Sequence, residues 1–360
     1  MYGFTPTEEQ EMLIDAISRY AKDDLRPAAH EAEEGKILPT KLIKKGWDLG
    51  VLQASIPEAY GGFGDRSAVT GVLAAEELAH GDLSCAIAVM TPALFAMPVL
   101  LAGSEDQKQE WIPAVLEAGP GRYTAGLIEP DFDFDPASLR TTATTDGDSF
   151  LLNGIKSFIP YASEAKQILI YAALDGVSRG FIIHNPMDGV TISERNRLLG
   201  LNALPLHEIH LEQVRIPKSN MLPGDFEPIL AAMHVTNAAM AVGVAKAAFE
   251  YSRDYAKDRE AFGVKIAQKQ AIAFMLAEMA TEIEASRLLA WEAAWKLDVG
   301  KADAFGAAYL ASIGAADMAM GVTDRAVQIL GGHGYIRDHP VEMWMREGRG
   351  FATFTGLAIV

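Results

Sequence analysis

The sequence predicts an α+β fold in which helices come first, strands follow, and helices return at the end. Residues 1–120 carry apolar side chains mostly at helical spacing. Residues 121–224 are rich in Thr, Ile and Val with Gly, Pro and Asp breaks, whereas residues 225–360 are again helical in pattern and rich in Ala. We therefore expect an N-terminal helical domain, a middle β domain and a C-terminal helical bundle over these three ranges.

Composition narrows the class of protein further. The chain has 360 residues, enough for about two or three domains, and its 49% hydrophobic and 22% charged residues are typical of a globular protein. The net charge of −17 argues against a nucleic-acid binder, which needs a basic patch, although a few arginines can still hold a ligand phosphate. The single cysteine, Cys85, excludes an intrachain disulfide, and we expect it to be a small buried apolar residue.

The N-terminus and the apolar runs indicate where in the cell the protein is expected to be found. The opening residues, MYGFTPTEEQEM, are acidic and contain no apolar signal core. The most apolar run, Ala86–Leu101, contains two prolines and is too short to span a bilayer. We therefore expect a cytoplasmic protein with no membrane partner.

The first domain contains recognisable helix boundaries. Thr7 precedes early carboxylates and predicts a capped helix start, and Pro27 is expected to end or kink that helix. A loop is predicted over residues 57–62, and further helices over Ser67–His80 and Gly103–Gly119.

The second and third domains are predicted in the same way. Phe150–Gly154 has the pattern of a strand entering a turn, Gln167–Ala172 that of a buried strand, and His207–Glu212 that of a half-buried strand. In the last third, Val235–Lys257 and Gln270–Leu297 predict long helices.

Short motifs recur along nearly the whole chain and carry a family resemblance. In chain order they are Pro57-Glu58-Ala59-Tyr60-Gly61-Gly62, Glu76-Glu77-Leu78-Ala79, Gly103-Ser104-Glu105-Asp106-Gln107-Lys108, Glu129-Pro130, Asn153-Gly154-Ile155-Lys156, Val214-Arg215-Ile216-Pro217, Arg259-Glu260-Ala261-Phe262-Gly263-Val264-Lys265-Ile266 and Gln328-Ile329-Leu330-Gly331-Gly332-His333-Gly334-Tyr335. In this order, and with the helix–strand–helix layout, the chain resembles the acyl-CoA dehydrogenase family.

The resemblance implies a fold and a chemistry. The C-terminal helices are expected to form a four-helix bundle that assembles tetramers, with FAD between the β domain, the bundle and a neighbouring subunit's bundle. A Glu side chain is expected to remove the α proton of an acyl-CoA while the β hydride goes to the flavin. Hydrogen bonds to the thioester carbonyl stabilise the developing charge, and the flavin supplies the redox chemistry. An electron-transferring flavoprotein is the implied electron acceptor.

One half of the family's flavin site is retained in this sequence. Arg259 matches the arginine that meets the diphosphate of a neighbouring subunit's flavin, Phe262 the aromatic that packs on it, and Gln328 with Gly331 and Gly332 the segment whose backbone approaches it. Without the resemblance, these residues are equally explained by a surface ion pair, a core aromatic and a helix-ending turn.

The other half, contributed by the same chain as the flavin's β domain, is depleted. Ile128 replaces a hydroxyl residue before Glu-Pro, Phe134 replaces a flavin-binding Ser, and Phe158 stands in the motif that normally presents Trp. Pro160 replaces a Thr and offers no donor. The acidic loop Asp131–Asp135 is either solvated or placed where its three carboxylates repel a diphosphate.

The catalytic base is missing from both positions that the family uses. Thr355 aligns with the usual Glu near the C-terminus and cannot accept a proton near pH 7 without a base of its own. The alternative position aligns with Met233. His234 follows it and titrates in a useful range if unperturbed, but a hydrogen-bonded structural histidine is the simpler interpretation.

Three hypotheses remain open at this point. The first is a subunit of a heteromeric acyl-CoA dehydrogenase that offers only its bundle contacts to a homologous subunit's FAD. The second is a self-sufficient homotetrameric dehydrogenase with a displaced base and an unusual acyl-CoA substrate. The third is a binding or scaffold protein on the same fold without redox chemistry.

Overall fold

The computed structural model describes residues 4–360, and residues 1–3 of the acidic N-terminal segment lie outside the described residues. The N-terminal helices are α1 (Glu8–Tyr20), α2 (Arg26–Gly35), α3 (Thr40–Trp47), α4 (Val51–Ala54), α5 (Ala68–Gly81), α6 (Leu83–Met90), α7 (Ala93–Ala102) and α8 (Glu105–Ala118). A π-helical turn, Ala21–Leu25, joins α1 to α2, and a 3₁₀ turn covers Glu58–Tyr60. The predicted N-terminal helical domain is confirmed.

Side-chain caps explain where several of these helices begin. Thr7 and Gln10 form a reciprocal capping box at the start of α1, as its sequence predicts, and Ser67 caps α5. The helical path does not end at Pro27, which lies in the first turn of α2, so that part of the expectation is wrong; the expected kink stays a prediction. The π-helical turn Ala21–Leu25 directly precedes this proline, and the path continues in α2 to Gly35.

The middle domain is a seven-stranded sheet. Its strands are β1 (Tyr123–Gly126), β2 (Thr142–Asp146), β3 (Ser149–Pro160), β4 (Gln167–Leu174), β5 (Val177–His184), β6 (Val190–Ile192) and β7 (Leu206–Pro217). Successive neighbours are β1, β4, β2, β3, β7 and β6, and β5 also pairs with β4. Pairings of β4 with β1 and β2 are parallel, whereas β3 pairs antiparallel with β2 and β7.

The predicted turn at Gly154 is wrong, because β3 continues through it to Pro160. Gly154 has φ +145°, and the pairing of β3 with β7 shifts register beside it. A Cβ at this position would lie 2.6 Å from Thr141 Cα. The glycine therefore permits a close backbone approach within the sheet and does not end the strand.

The C-terminal domain is helical, as predicted. It contains α9 (Glu227–Asp258), the short strands β8 (Glu260–Ala261) and β9 (Val264–Lys265), α10 (Gln270–Asp298), α11 (Ala304–Leu330) and α12 (Val341–Gly348). The long helices α9, α10 and α11 pack together, α5 of the first domain packs on α9 and α10, and α12 packs against α9 and α11. The bundle thus draws one helix from the N-terminal domain.

Some helices are apolar enough to cross a membrane by length and composition alone. These are α9, the stretch Ala304–Tyr335, and the pair α6–α7 if its two helices, bent by 48°, count as one span. In α9, 94% of the most apolar window is buried inside the protein. Bundle packing therefore accounts for the apolar composition of α9.

A cluster of buried carboxyl groups lies where α12 meets the N-terminal helices. Glu347 is 1% exposed, and neither of its carboxyl oxygens has a hydrogen-bond partner among the described residues. Burial, with Asp82 and Glu33 nearby, raises the pKa of Glu347 well above its ordinary value, although Arg346 and Arg26 oppose the shift. Burial also raises the pKa of Asp82 to about 6. Burial therefore favours the neutral form of Glu347 over its carboxylate.

Candidate functional site

The residues predicted to contact a neighbouring subunit's flavin lie together at one end of the bundle. Arg259 directly follows α9, and its side chain has no hydrogen-bond or ion-pair partner within residues 4–360. Gln328 is exposed near the end of α11, where Gly331 and Gly332 follow. Gly331 has φ +59°, and a Cβ on either glycine would find no atom within 4 Å. We call these residues and Phe262 the bundle-end set.

Phe262 is the member of this set that most clearly lacks a place in its own chain. It lies in the turn between β8 and β9 with φ +56°, and 95% of it is exposed. Lys269 Nζ lies 5.8 Å from its ring centroid. A large aromatic that is almost wholly exposed is not a core residue, so the alternative explanation as a core aromatic is wrong.

The same-chain side of the family's flavin site has a different character. Ile128 is 5% exposed and belongs to the hydrophobic core. Pro160 is buried opposite Leu206 on β7, and Phe158, with φ +55°, lies in an irregular part of that pairing. These positions present no hydroxyl and, at Pro160, no backbone N–H.

The acidic loop is partly neutralised by Arg140. Its guanidinium bonds Asp131 and lies 2.9 Å from Asp133 Oδ1, while Asp135 Oδ1 accepts the Ala137 N–H at 2.9 Å. Two of the three carboxylates are therefore paired with a cation of their own chain. The positive charge of Arg140 offsets the negative charges of Asp131 and Asp133, which reduces their repulsion of a diphosphate.

A buried ion pair fixes the start of this loop. Glu129 Oε1 lies 2.7 Å from Lys156 Nζ, which also donates to the Leu127 carbonyl at 3.0 Å. Glu129 further accepts the N–H groups of Arg140 and Thr141. Burial lowers the pKa of Lys156 to about 8 against the pull of Glu129.

We did not predict this pair from the sequence, although its signal was present. Glu129 follows an apolar run and Lys156 lies within another, so both charges are in segments that are expected to be buried. A buried charge needs an opposite charge as its partner, and each of these two residues can serve the other. The family motifs around them therefore have a structural role here: they anchor the segment that leads into the acidic loop.

A cavity of about 560 Å³ holds the expected base position. Thr355 lines it together with Phe134, Asp135 and His234. Met233, the alternative base position, is fully buried and does not line it. Asp135 is the carboxylate among the lining residues, and it is exposed.

His234 does not behave as expected from the sequence. Its Nδ1 is buried and finds no hydrogen-bond partner in residues 4–360, and its ring packs edge to face against Tyr309 at 5.4 Å between centroids. Burial lowers its pKa to about 4. The histidine is therefore neither hydrogen-bonded at Nδ1 nor titratable near pH 7, and its imidazole is a weak base.

The two sides of the flavin site consequently differ in their fit to FAD. On the bundle-end side, the unpaired guanidinium of Arg259, the exposed ring of Phe262 and the open glycine turn suit a diphosphate and an aromatic ring system. On the same-chain side, the buried Ile128 and Pro160 lack the donors that would hold the ring. The residues present thus fit half of a FAD site.

Comparison with known proteins agrees with this architecture. Family models for the acyl-CoA dehydrogenase N-terminal, middle and C-terminal domains match residues 7–118, 124–214 and 228–358. The probable acyl-CoA dehydrogenase FadE25 of Mycobacterium tuberculosis is 34% identical over 358 residues, which cover 96% of this chain and 91% of that protein.

Solved structures agree as well. Butyryl-CoA dehydrogenase from Megasphaera elsdenii is 31% identical with a TM-score of 0.89, covering 99% of this chain and 96% of that one. A glutaryl-CoA dehydrogenase from Mycobacterium smegmatis, solved in complex with FADH2, is 27% identical with a TM-score of 0.85, covering 98% and 92%. The chain therefore belongs to the acyl-CoA dehydrogenase family of FAD-dependent oxidoreductases.

Proposed function

We propose that this chain is one subunit of a heteromeric acyl-CoA dehydrogenase and contributes the bundle-end set to FAD seated in a homologous subunit. The observation that carries the proposal is the difference between the two sides of the site. Arg259 and Phe262 are exposed, and the Arg259 side chain has no hydrogen-bond or ion-pair partner among the described residues, whereas Ile128 and Pro160 are buried and offer no side-chain donors. When bound, FAD accepts the hydride removed from an acyl-CoA.

Each bundle-end residue has a defined task in such an assembly. The guanidinium of Arg259 offers several donors in a fixed planar arrangement to a diphosphate. Phe262 covers an aromatic ring system, and the turn at Gly331 and Gly332 lets the backbone approach closely because no side chain intervenes. Proton removal falls to the homologous subunit, since Thr355 carries no carboxylate.

The surface of the bundle supports assembly with another subunit. Large apolar side chains of α10 and α11 are exposed on the single chain; they are Phe274, Leu288, Leu289, Tyr309, Leu310 and Ile313. Large apolar side chains exposed on two packed helices are consistent with an interface between subunits. We expect the chain produced alone to be poorly soluble or colourless, and the assembly to be cytoplasmic and to pass electrons to an electron-transferring flavoprotein.

The test is the flavin content of the tagged chain, purified alone and with a co-expressed homologous subunit that has the complete same-chain half. We expect FAD only in the co-purified assembly, and loss of most of it with Arg259→Ala. The matched control is Arg253→Ala, because Arg253 lies on the same helix but pairs with Asp254. A full FAD complement in the single chain contradicts the proposal, and flavin content insensitive to Arg259→Ala favours a scaffold role.

One observation favours a second candidate, a self-sufficient homotetramer with a displaced base. Asp135 lines the cavity that also contains Thr355 and His234, so a carboxylate is available there. Under this alternative, the pure chain oxidises some linear, branched or cyclic acyl-CoA with an artificial electron acceptor. Asp135→Asn then abolishes turnover, whereas Asp133→Asn, two residues away and outside the cavity lining, retains it. Our proposal predicts no turnover by the chain alone.

A further inference from the structure

Two tyrosines of α9 hold two histidines that follow α11. Tyr255 OH lies 2.8 Å from His333 Nδ1, and Tyr251 OH lies 2.7 Å from His339 Nδ1. The imidazoles of His333 and His339 stack with 13° between planes and 5.2 Å between centroids. The ring of Tyr255 meets both imidazoles edge to face, at 5.9 and 5.8 Å. We call these four residues the Tyr–His cluster.

The cluster connects the two segments that make up the bundle-end set. The Tyr255 carbonyl accepts the Arg259 N–H at 2.8 Å, so Tyr255 belongs to the last turn before Arg259. His333 directly follows Gly331 and Gly332. The hydrogen bond between Tyr255 and His333 therefore joins the helix end that carries Arg259 to the turn that carries the two glycines.

Such a link matters because the two glycines bring no side chain to hold the start of the 3₁₀ turn Gly331–Tyr335 in place. Gly331 and Gly332 have no side chains and open space around their Cβ positions, and glycine has the largest conformational freedom to lose. A diphosphate bound between Arg259 and this turn requires a fixed separation of the two. The Tyr–His cluster fixes the distance between Arg259 and the glycine turn without contacting the diphosphate.

We propose that Tyr255 and His333 are positioning residues that fix Arg259 relative to Gly331 and Gly332 and so slow FAD release from the assembly. Tyr251 and His339 support them through the stack of the two imidazoles. The inference rests on the proposed function, since it assumes that the bundle-end set contacts FAD.

The experiment measures FAD release from the co-purified assembly by recovery of flavin fluorescence, together with the thermal midpoint. We expect Tyr255→Phe to speed release about fivefold, while the midpoint falls by no more than the loss of one hydrogen bond accounts for. His333→Leu should match it, and the double variant should be no faster than either single variant. His333→Gln, whose side-chain amide both donates and accepts, should restore slow release. Tyr60→Phe, which removes an exposed bond to Glu105, is the control.

The outcomes separate the inference from the proposed function. If Arg259→Ala releases FAD but Tyr255→Phe does not, the inference is wrong and the proposed function stands. If neither variant changes release, both are wrong. A Tyr255→Phe variant that releases FAD only in proportion to a lowered thermal midpoint, or additive effects in the double variant, also overturns the inference, because the cluster is then general packing.

Discussion

Replacing Lys156 by Met lowers the free energy of unfolding by about 3–5 kcal/mol, the range for breaking a buried ion pair from one side. Lys156 is 0% exposed, and its removal leaves Glu129 as an uncompensated carboxylate at 4% exposure. Water cannot replace the lost partner at this depth. Chemical denaturation followed by circular dichroism measures the change.

Two controls identify the ion pair as the cause. Lys166→Met removes an exposed lysine from the same domain and should change stability by no more than about 0.5 kcal/mol. The double variant Glu129→Gln with Lys156→Met should be more stable than Lys156→Met alone, because no unpaired charge remains. A loss below about 1 kcal/mol in the single variant would show that Glu129 finds another partner or takes up a proton without strain.

Many helices and strands were predictable because the spacing of apolar residues along the chain reflects which side chains are buried. The strand over Gln167–Ala172 and the long helices of the last third follow from the side chains that must face a core. Thr7 was predictable as a cap because its partner Gln10 is three residues away. Signals of this kind involve residues that lie close together in the sequence, so the sequence alone is enough to identify them.

Pro27 and Gly154 show where local signals mislead. Both residue types interrupt regular structure in general, yet Pro27 occupies a helix position that tolerates it. Gly154 remains in its strand because the backbone of Thr141 comes close to it. The outcome at Pro27 depends on its exact position along the helix. The outcome at Gly154 depends on Thr141, a residue from a different segment of the chain.

The candidate site divides in the same way. The family motifs predicted the members of the bundle-end set, and the structure brings them to one end of the bundle, although their contact with FAD stays a prediction. The pairing of Arg140 with the acidic loop and the absence of a hydrogen bond to His234 Nδ1 among the described residues were not predictable. Both depend on how separate segments pack, which no spacing along the chain records.

Glu347→Gln is the second variant with a large expected effect, and its sign is opposite to that of Lys156→Met. Both Glu347 oxygens are buried without hydrogen-bond partners in the described part of the chain, and its folded-state pKa is raised above the unfolded value. Because the folded state binds this proton more tightly than the unfolded state, the raised pKa stabilises the fold fully at pH values below the unfolded pKa. This stabilisation is lost as the pH rises from the unfolded pKa towards the folded pKa. The natural protein therefore bears an increasing cost above about pH 4.5, which a neutral amide of the same shape avoids.

We expect Glu347→Gln to match the natural protein near pH 4.5 and to be more stable by about 1–3 kcal/mol at pH 8. Denaturation at several pH values measures the difference. The control is Glu342→Gln on the same helix, which loses an ion pair with Arg346 and should show no stabilisation that grows with pH. A Glu347→Gln variant that is less stable than the natural protein by the same amount at pH 5 and pH 8 would mean that Glu347 is ionised and paired. The buried carboxyl then stabilises the junction of α12 with the N-terminal helices.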